Sequence, residues 1–460
     1  MSLTTAEVAR VVLALGLLLI AAHACGQLFA RFRQPPVIGE ILGGLMLGPT
    51  ILGALLPGLQ AQVFPDDGAS APVLGAIYQL GLFLLMFVAG AELRSVFHRG
   101  ERKTATYLTL GGTLLPFIAG LALLQVIHLN AFQGPAGSDT AFLLVVAIAV
   151  AVTSIPVISR IMLDLGILQT AFARIVLTAA VIEDIALYVV LAVALGLVSQ
   201  AEGDDFGLAA ILNIEPSSSI SMAYHVVVSL AFFGCFLWLG PKLFRRLSRS
   251  PYNPVQRRNP IAFQLAFMFA LTGLALFTGI TPLFGAFIAG MVIGVLGDEQ
   301  DEAREAIKRF AFAFFVPIYF AIVGLRLDLI HDFNVLLFVG FVAFACTVKT
   351  LSAYAGARLA GQNRSGAANL AVAVNARGGP GIVVASVAFD AGIINDEFFV
   401  TLVLLAVLTS LAAGSWLERV IKSGRPLLGV EPAKPRFETR PEGATFGSGL
   451  GVRQTGGPQP

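Results

Sequence analysis

The chain has 460 residues, of which 57% are hydrophobic and only 13% are charged, and it contains 48 glycines. Its mean hydropathy is +0.83, and this many apolar residues could not all be buried in a single soluble core. The composition therefore excludes a soluble globular protein and indicates an integral membrane protein. The formal net charge of +2 gives no indication of a nucleic-acid partner.

Apolar runs of about 20 residues, the length that crosses the hydrocarbon core of a bilayer, follow one another along the chain. They predict an all-α polytopic membrane protein with about thirteen transmembrane helices over residues 1–424. The Pro-, Gly-, Arg- and Glu-rich segment 425–460 is predicted to be a disordered cytoplasmic tail. The predicted helices, numbered 1 to 13 in chain order, cover 7–30, 36–56, 72–92, 104–129, 140–163, 170–198, 220–247, 259–277, 281–297, 303–324, 333–360, 364–389 and 396–422.

Basic and acidic loops alternate between these helices, and basic residues collect in cytoplasmic loops. The pattern predicts an N-terminus outside and a C-terminus in the cytoplasm. The basic side carries Arg31, Arg33, Arg94, Arg99, Arg102, Lys103, Lys242, Arg245, Arg246, Arg249, Arg257, Arg258, Arg304, Lys308, Arg309, Arg358, Arg364, Arg419, Lys422 and Arg425. The opposite side carries Asp66, Asp67, Asp139, Glu202, Asp204, Asp205 and Glu215. On that side, Arg326 breaks the pattern.

Two adjacent acidic residues, Glu183 and Asp184, lie inside the unbroken apolar stretch of predicted helix 6. An ionised carboxylate at bilayer depth costs about 2.5 to 3.5 kcal/mol on insertion scales, so such a residue normally faces a partner or a water-filled cavity. The pair therefore indicates an ion pathway. The three cysteines lie in apolar helices without metal-ligand spacing, so we expect no cofactor and no metal beyond a transported alkali cation.

Predicted helices 2 and 9 begin with similar sequences, which align four positions in each: Pro36, Gly39, Gly44 and Gly48 with Pro282, Gly285, Gly290 and Gly294. Seven helices separate the two starts, so the two segments enter the membrane from opposite sides. This is typical of inverted-topology repeats in secondary transporters, here helices 2 to 6 and 9 to 13. The structural alternative is that close helix packing alone selects small residues at such spacings.

Predicted helices 5 and 12 each contain a helix-breaking sequence, around Pro156 and over 378–381 (GGPG). We expect both helices to unwind near mid-membrane, where free carbonyls and helix ends can hold a cation. The hydroxyls of Thr153 and Ser154 would add oxygen ligands. Simple proline kinks are the structural alternative, because transmembrane helices often contain Pro and Gly.

Lys349 lies midway along predicted helix 11, so we expect a carboxylate partner in Glu183 or Asp184 and a role in proton exchange. Snorkelling towards the interface is the competing explanation. Arg377, at the break in helix 12, is predicted to close a gate or to bind a helix end. Glu40 is a weaker candidate for a gating or local pairing role.

These ordered motifs together resemble the bacterial monovalent cation:proton antiporters related to the Kef potassium exchangers and the NapA sodium exchangers. The resemblance covers residues 5–422. It rests on the segment 36–49 (PVIGEILGGLMLGP), the segment 153–156 (TSIP), the acidic pair, 315–320 (FVPIYF) with 323–325 (VGL), Lys349 and 375–378 (NARG).

The resemblance implies an NhaA/NapA-like fold, a homodimer, and a mobile six-helix core in which two broken helices cross beside an ion-binding aspartate. Asp184 matches that aspartate, Glu183 the preceding position and Lys349 the core lysine. The preceding residue is commonly Asp in electrogenic members and Asn or Gln in electroneutral ones. A Glu183–Lys349 pair resembles the electrogenic arrangement, which we favour. The resemblance also implies a bacterial inner membrane.

The predicted function is secondary antiport of a monovalent cation against protons by alternating access, with Na⁺ favoured over K⁺ and Li⁺ a third candidate. The alternative is a sodium-coupled organic-anion symporter of related inverted-repeat architecture. A channel is disfavoured because the sequence repeats no selectivity-filter motif. An intramembrane enzyme is disfavoured because the sequence has neither a recognisable triad nor an HExxH motif.

Overall fold

The computed structural model describes residues 4–32, 34–65, 70–92, 101–127, 129–199, 207–212, 219–296 and 301–428. Several residues used in the predictions above lie outside these ranges: the tail from residue 429 onwards and Arg33, Asp66, Asp67, Arg94, Arg99, Glu202, Asp204, Asp205 and Glu215.

The described residues are helical apart from loops and one isolated β-bridge between Gln133 and Ile394. The α-helices are α1 (Thr5–Arg31), α2 (Pro36–Leu47), α3 (Pro57–Val63), α4 (Ser70–Glu92), α5 (Arg102–Thr109), α6 (Leu115–Val126), α7 (Asp139–Ala151), α8 (Ile155–Asp164), α9 (Ala171–Ser199), α10 (Leu208–Ile211), α11 (Ser219–Ser248), α12 (Pro254–Arg258), α13 (Pro260–Phe277), α14 (Pro282–Gly294), α15 (Asp301–Phe310), α16 (Val316–Leu325), α17 (Val335–Leu359), α18 (Arg364–Ala373), α19 (Gly378–Asp390) and α20 (Asp396–Lys422). Short π-helical turns follow α2 and join α5 to α6 and α15 to α16: Pro49–Gly53, Leu110–Leu114 and Ala311–Phe315.

Eleven helical segments among the described residues are long and apolar enough to cross a membrane. Two further apolar helices, α7 and α14, have only 13 residues each, so the structure does not confirm the predicted count of thirteen. The chain unwinds after α7 and resumes as α8, which has a proline in its first turn; predicted helix 5 is therefore two half-helices. The all-α polytopic class is as predicted.

The predicted repeat is visible in how α2 and α14 pack. A Cβ atom on Gly44 of α2 would lie 1.8 Å from the carbonyl oxygen of Ala321 in α16, and one on Gly290 of α14 would lie 2.0 Å from that of Phe87 in α4. Both glycines thus allow backbone contact that any side chain would prevent. α2 lies between α1 and α16, and α14 lies between α13 and α4. Because these neighbours correspond pairwise, the repeat extends to α1 and α13 as well.

The helices pack in two groups. We call α1, α2, α4, α13, α14 and α16 the panel group, and α5 to α9 with α17 to α20 the crossing group. α11 contacts a helix of each group, α9 and α14, and α14 also contacts α9 directly. The acidic pair, Lys349 and both interrupted helices belong to the crossing group.

Candidate ion-binding site at the crossing of two broken helices

The unwound segments of the two broken helices lie against each other and satisfy each other's backbone groups. The Thr153 hydroxyl donates a hydrogen bond to the Val374 carbonyl at 2.6 Å, and the Ser154 N–H donates to the Ala376 carbonyl at 2.7 Å. All four residues are buried. Unwound backbone is stable at membrane depth only when such partners replace the lost helical bonds, so each break depends on the other.

Local sequence determines where the second half-helices begin. The Ser154 hydroxyl caps α8 by accepting a hydrogen bond from the Val157 N–H at 3.3 Å. Gly378, the first residue of α19, has a φ of +34°, and a Cβ there would lie 2.3 Å from Val157 Cγ2. Its N–H donates to the Ser410 hydroxyl of α20 at 3.1 Å. A glycine is therefore required at this crossing.

Arg377 is buried and binds the C-terminal end of α7. Its guanidinium donates to the carbonyls of Ala149 at 3.1 Å and Val150 at 3.0 Å, and to the Ala345 carbonyl of α17 at 3.1 Å. It also donates to the Asn375 side chain. Last-turn carbonyls have no intrahelical donor, and a cation also interacts favourably with the negative end of the helix dipole. Of the two predicted roles for Arg377, these contacts fit helix-end binding.

We predict that Arg377→Met destabilises the protein by at least about 3 kcal/mol, because each buried carbonyl left without a donor costs about 1–3 kcal/mol. Arg377→Lys retains the cation and some of the donors without the planar fork, so its loss should be smaller. The melting temperature of the detergent-purified variants measures both effects. A methionine variant as stable as wild type would show that these contacts do not stabilise the fold.

The buried Lys349 ammonium contacts Glu183, not Asp184. Lys349 Nζ lies 3.1 Å from Glu183 Oε1, donates to the Thr153 hydroxyl at 2.7 Å, and donates to the Ala151 carbonyl at the end of α7. The other carboxylate oxygen, Glu183 Oε2, accepts a hydrogen bond from the Thr113 hydroxyl at 2.8 Å. Both oxygens of Glu183 are thus occupied by protein donors.

Asp184 differs from its neighbour. Its side chain is equally buried, with 3% of the residue exposed, but within the described residues its Oδ1 has no hydrogen-bond partner. A buried polar atom without a partner calls for an explanation such as an ion or an ordered water. Of the two carboxylates, Asp184 therefore has an oxygen left open to a further ligand, whereas both oxygens of Glu183 are occupied.

The predicted candidates divide into two sets. The hydrogen bonds described above join Thr153, Ser154, Glu183 and Lys349 with the Arg377 segment, and Asp184 adjoins this set as the residue after Glu183 in α9. Glu40 is separate: it lies in α2 against Gly26 of α1, and in the described part of the chain its Oε2 has no hydrogen-bond partner. No hydrogen bond or ion pair between described residues joins Glu40 to the acidic pair.

Thr113, which bonds Glu183, and Ser410, which bonds Gly378, were not identified from the sequence. Thr113 follows two glycines in an apolar segment and lies in the π-helical turn between α5 and α6. A hydroxyl after a glycine pair inside a membrane helix was a usable signal, because π-helical turns are frequent at functional sites. Ser410 had no comparable local signal.

A polytopic helical membrane protein with inverted repeats and a buried carboxylate beside two crossed broken helices has the architecture of a secondary active transporter. Residues 16–423 match the family described as sodium/hydrogen exchanger, transmembrane. The match covers most of the chain, so the protein belongs to this family of membrane antiporters.

Individual relatives agree with this assignment. The chain is 29% identical over 413 residues to the Na(+)/H(+) antiporter NhaS4 of Synechocystis, covering 88% of this chain and 94% of that protein. It is 25% identical to the Na(+)/H(+)-K(+) antiporter GerN of Bacillus cereus, covering 86% and 92%. It spans only 48% of the Arabidopsis thaliana Cation/H(+) antiporter 20, at 29% identity.

One solved structure has a similar fold. The sodium proton antiporter MjNhaP1 of Methanocaldococcus jannaschii matches with a TM-score of 0.61, covering 90% of this chain and 98% of that one. Sequence identity is 15%, so this likeness concerns the fold alone.

Proposed function

We propose that the protein is a secondary active antiporter that exchanges Na⁺, with K⁺ and Li⁺ as alternative cations, for protons by alternating access. The observation that carries the proposal is the buried Asp184, whose Oδ1 has no partner among the residues that the structure describes, beside a crossing of two broken helices. Relatives named as Na⁺/H⁺ and K⁺/H⁺ antiporters support it. The sodium-coupled symporter alternative gains no support from these relatives.

In the proposed mechanism, a dehydrated alkali ion and a proton compete for Asp184. Thr153 and Ser154 supply additional oxygens: the hydroxyl of Thr153 donates to Val374 and accepts from Lys349, and that of Ser154 accepts from Val157, which leaves each oxygen one lone pair. Either ligand neutralises the carboxylate, and a neutral site is far less costly to move past apolar surroundings than an ionised one. The empty, ionised site therefore does not cross, which couples the two fluxes.

We further propose an electrogenic stoichiometry. In the proton-loaded site Asp184 is neutral while Glu183, Lys349 and Arg377 are charged, so the cluster carries one net positive charge. A cation that displaces the Asp184 proton leaves this charge unchanged, and in a buried site the excess favours release of a second proton, from Lys349. One entering cation would then displace protons from both Asp184 and Lys349.

The proposal also includes the orientation of the protein in the membrane, its location and its oligomeric state. The alternation of basic and acidic loops supports an outside N-terminus and a cytoplasmic C-terminus. The family resemblance supports a location in the inner membrane of a bacterium. The resemblance to NapA-type exchangers supports a homodimer. It also supports identifying the crossing group as the mobile core and the panel group as the dimerisation domain.

The test is proton efflux from acid-loaded proteoliposomes containing the purified protein, followed with a pH dye when Na⁺, Li⁺ or K⁺ is added outside. We expect cation-triggered efflux, with a potential-sensitive dye reporting net charge movement. Efflux without a change in potential would contradict the electrogenic stoichiometry only. No efflux with any cation between about pH 6 and 9, a range that includes the pKa values documented for deeply buried carboxyl groups, would contradict antiport. Sodium-dependent uptake of an organic anion would then favour the symporter.

A further inference from the structure

Arg326, the basic residue that departs from the alternating charge pattern, is held in a cluster that joins the two helix groups. Its guanidinium lies 2.5 Å from Asp390 Oδ1 and 4.6 Å from the centre of the Tyr78 ring. The Tyr78 hydroxyl donates to Asp390 Oδ2 at 2.9 Å. We call these three residues the outer clasp. Tyr78 and Arg326 belong to the panel group, in α4 and directly after α16, whereas Asp390 ends α19 of the crossing group.

Three buried hydroxyls lie between the outer clasp and Asp184. Tyr188 is one helical turn beyond Asp184 on the same side of α9, and it lies near Tyr319 of α16. The Tyr319 ring lies 5.0 Å from that of Tyr78. Ser386 of α19, one turn before Asp390, lies beside both Tyr78 and Tyr319. The row therefore runs from the ion site to the clasp along the boundary between the groups.

These three hydroxyls resemble Asp184 Oδ1 in lacking a well-formed hydrogen bond. Among the described residues, the Tyr188 hydroxyl has no protein partner, and the hydroxyls of Tyr319 and Ser386 interact with each other without forming a hydrogen bond of good geometry. Buried polar groups normally have such partners, and a successive row without them indicates that water or an ion supplies the missing bonds. Apolar side chains would pack this boundary at lower cost if it served only to hold the groups together.

We propose that Tyr188, Tyr319 and Ser386 line the route by which the monovalent cation and protons reach Asp184 from the outer side, and that the outer clasp closes this route. The proposal rests on the proposed antiport function. The outer clasp is partly exposed, with 34% of the Arg326 side chain accessible, and an exposed ion pair is weak enough to break in each transport cycle. Movement of the crossing group against the panel group would separate Asp390 from both of its partners.

The first test removes single hydroxyls. Tyr188→Phe and Tyr319→Phe keep the ring packing and delete only the oxygen, and each is expected to slow cation-driven proton flux by about fivefold, the equivalent of one lost hydrogen bond. Tyr252→Phe, at a site that is 92% exposed in the loop before α12, is the matched control and should match wild type. Two phenylalanine variants with wild-type rates would overturn the route.

The second test does not depend on transport. Ser386→Cys, in a chain whose three native cysteines are replaced by alanine, is treated from outside with a small cationic methanethiosulfonate reagent. We expect slow labelling with the outer clasp intact and labelling up to about fivefold faster after Arg326→Gln or Asp390→Asn, because an exposed ion pair contributes at most about 1 kcal/mol. Equal labelling rates with and without the clasp would overturn its role as a closure. If wild type shows no exchange, the proposed function fails, while this labelling still decides whether the route exists.

Discussion

Asp184→Asn is expected to reduce cation-driven proton flux by at least about a hundredfold while leaving the protein folded. The amide has the same shape as the carboxylate, but over the pH range of the efflux assay it does not bind a proton. It also cannot compensate the charge of a bound cation. A charge left uncompensated at membrane depth costs about 2.5–3.5 kcal/mol, which corresponds to about two decades in occupancy. The measurement is the initial rate of dye-reported efflux in proteoliposomes.

The melting temperature should not fall in this variant, because the substitution removes a buried carboxylate with an oxygen that no described residue hydrogen-bonds. Asp139→Asn is the matched control: it makes the same chemical change at the exposed start of α7, and should retain wild-type flux. Retained coupled exchange in Asp184→Asn would refute the assignment of the ion site.

Lys349→Met is expected to destabilise the protein by about 3–5 kcal/mol, the cost of leaving a buried carboxylate without its cation. The loss should be large because the ammonium also donates to Thr153 and to the end of α7. Thermal unfolding of the detergent-purified variant, compared with wild type, measures this cost.

The double variant Lys349→Met/Glu183→Leu should recover at least half of that loss, since replacing a whole buried ion pair with apolar side chains is often close to neutral. Lys422→Met, which breaks an exposed ion pair with Glu418 four residues earlier, is the control and should change stability by less than about 0.5 kcal/mol. If the double variant is less stable than Lys349→Met alone, the pair is not the source of the effect.

Much of the fold could be predicted because the sequence features that identify membrane-spanning helices are local. Apolar runs of bilayer length, the alternation of basic loops and the Pro and Gly breaks each depend on only a few neighbouring residues. The number of spanning helices was harder to predict from the sequence. An apolar segment such as 140–163 forms two half-helices rather than one helix only if another segment supplies hydrogen-bond partners for the break. The Val374 and Ala376 carbonyls, more than 200 residues away, supply them here.

The candidate site, like the fold, could be predicted only in part from the sequence. Residue type alone indicated that Glu183, Asp184 and Lys349 need partners in a bilayer, since an isolated charge there is too costly. It could not decide which carboxylate Lys349 approaches. The structure pairs it with Glu183, because Thr113 and the end of α7 meet on that side, and Asp184 Oδ1 is left without a partner in the described part of the chain.

Arg326 is a residue whose contacts could not be predicted from the sequence. As a sequence feature it was an exception to a charge rule, whereas in the fold it lies against Asp390 and Tyr78 across the boundary between two helix groups. Composition and residue order determine that this protein spans a membrane, repeats itself in inverted topology and buries charge. Only tertiary structure decides which charges meet, because ion pairs and hydrogen bonds act over a few ångströms between residues far apart in the chain.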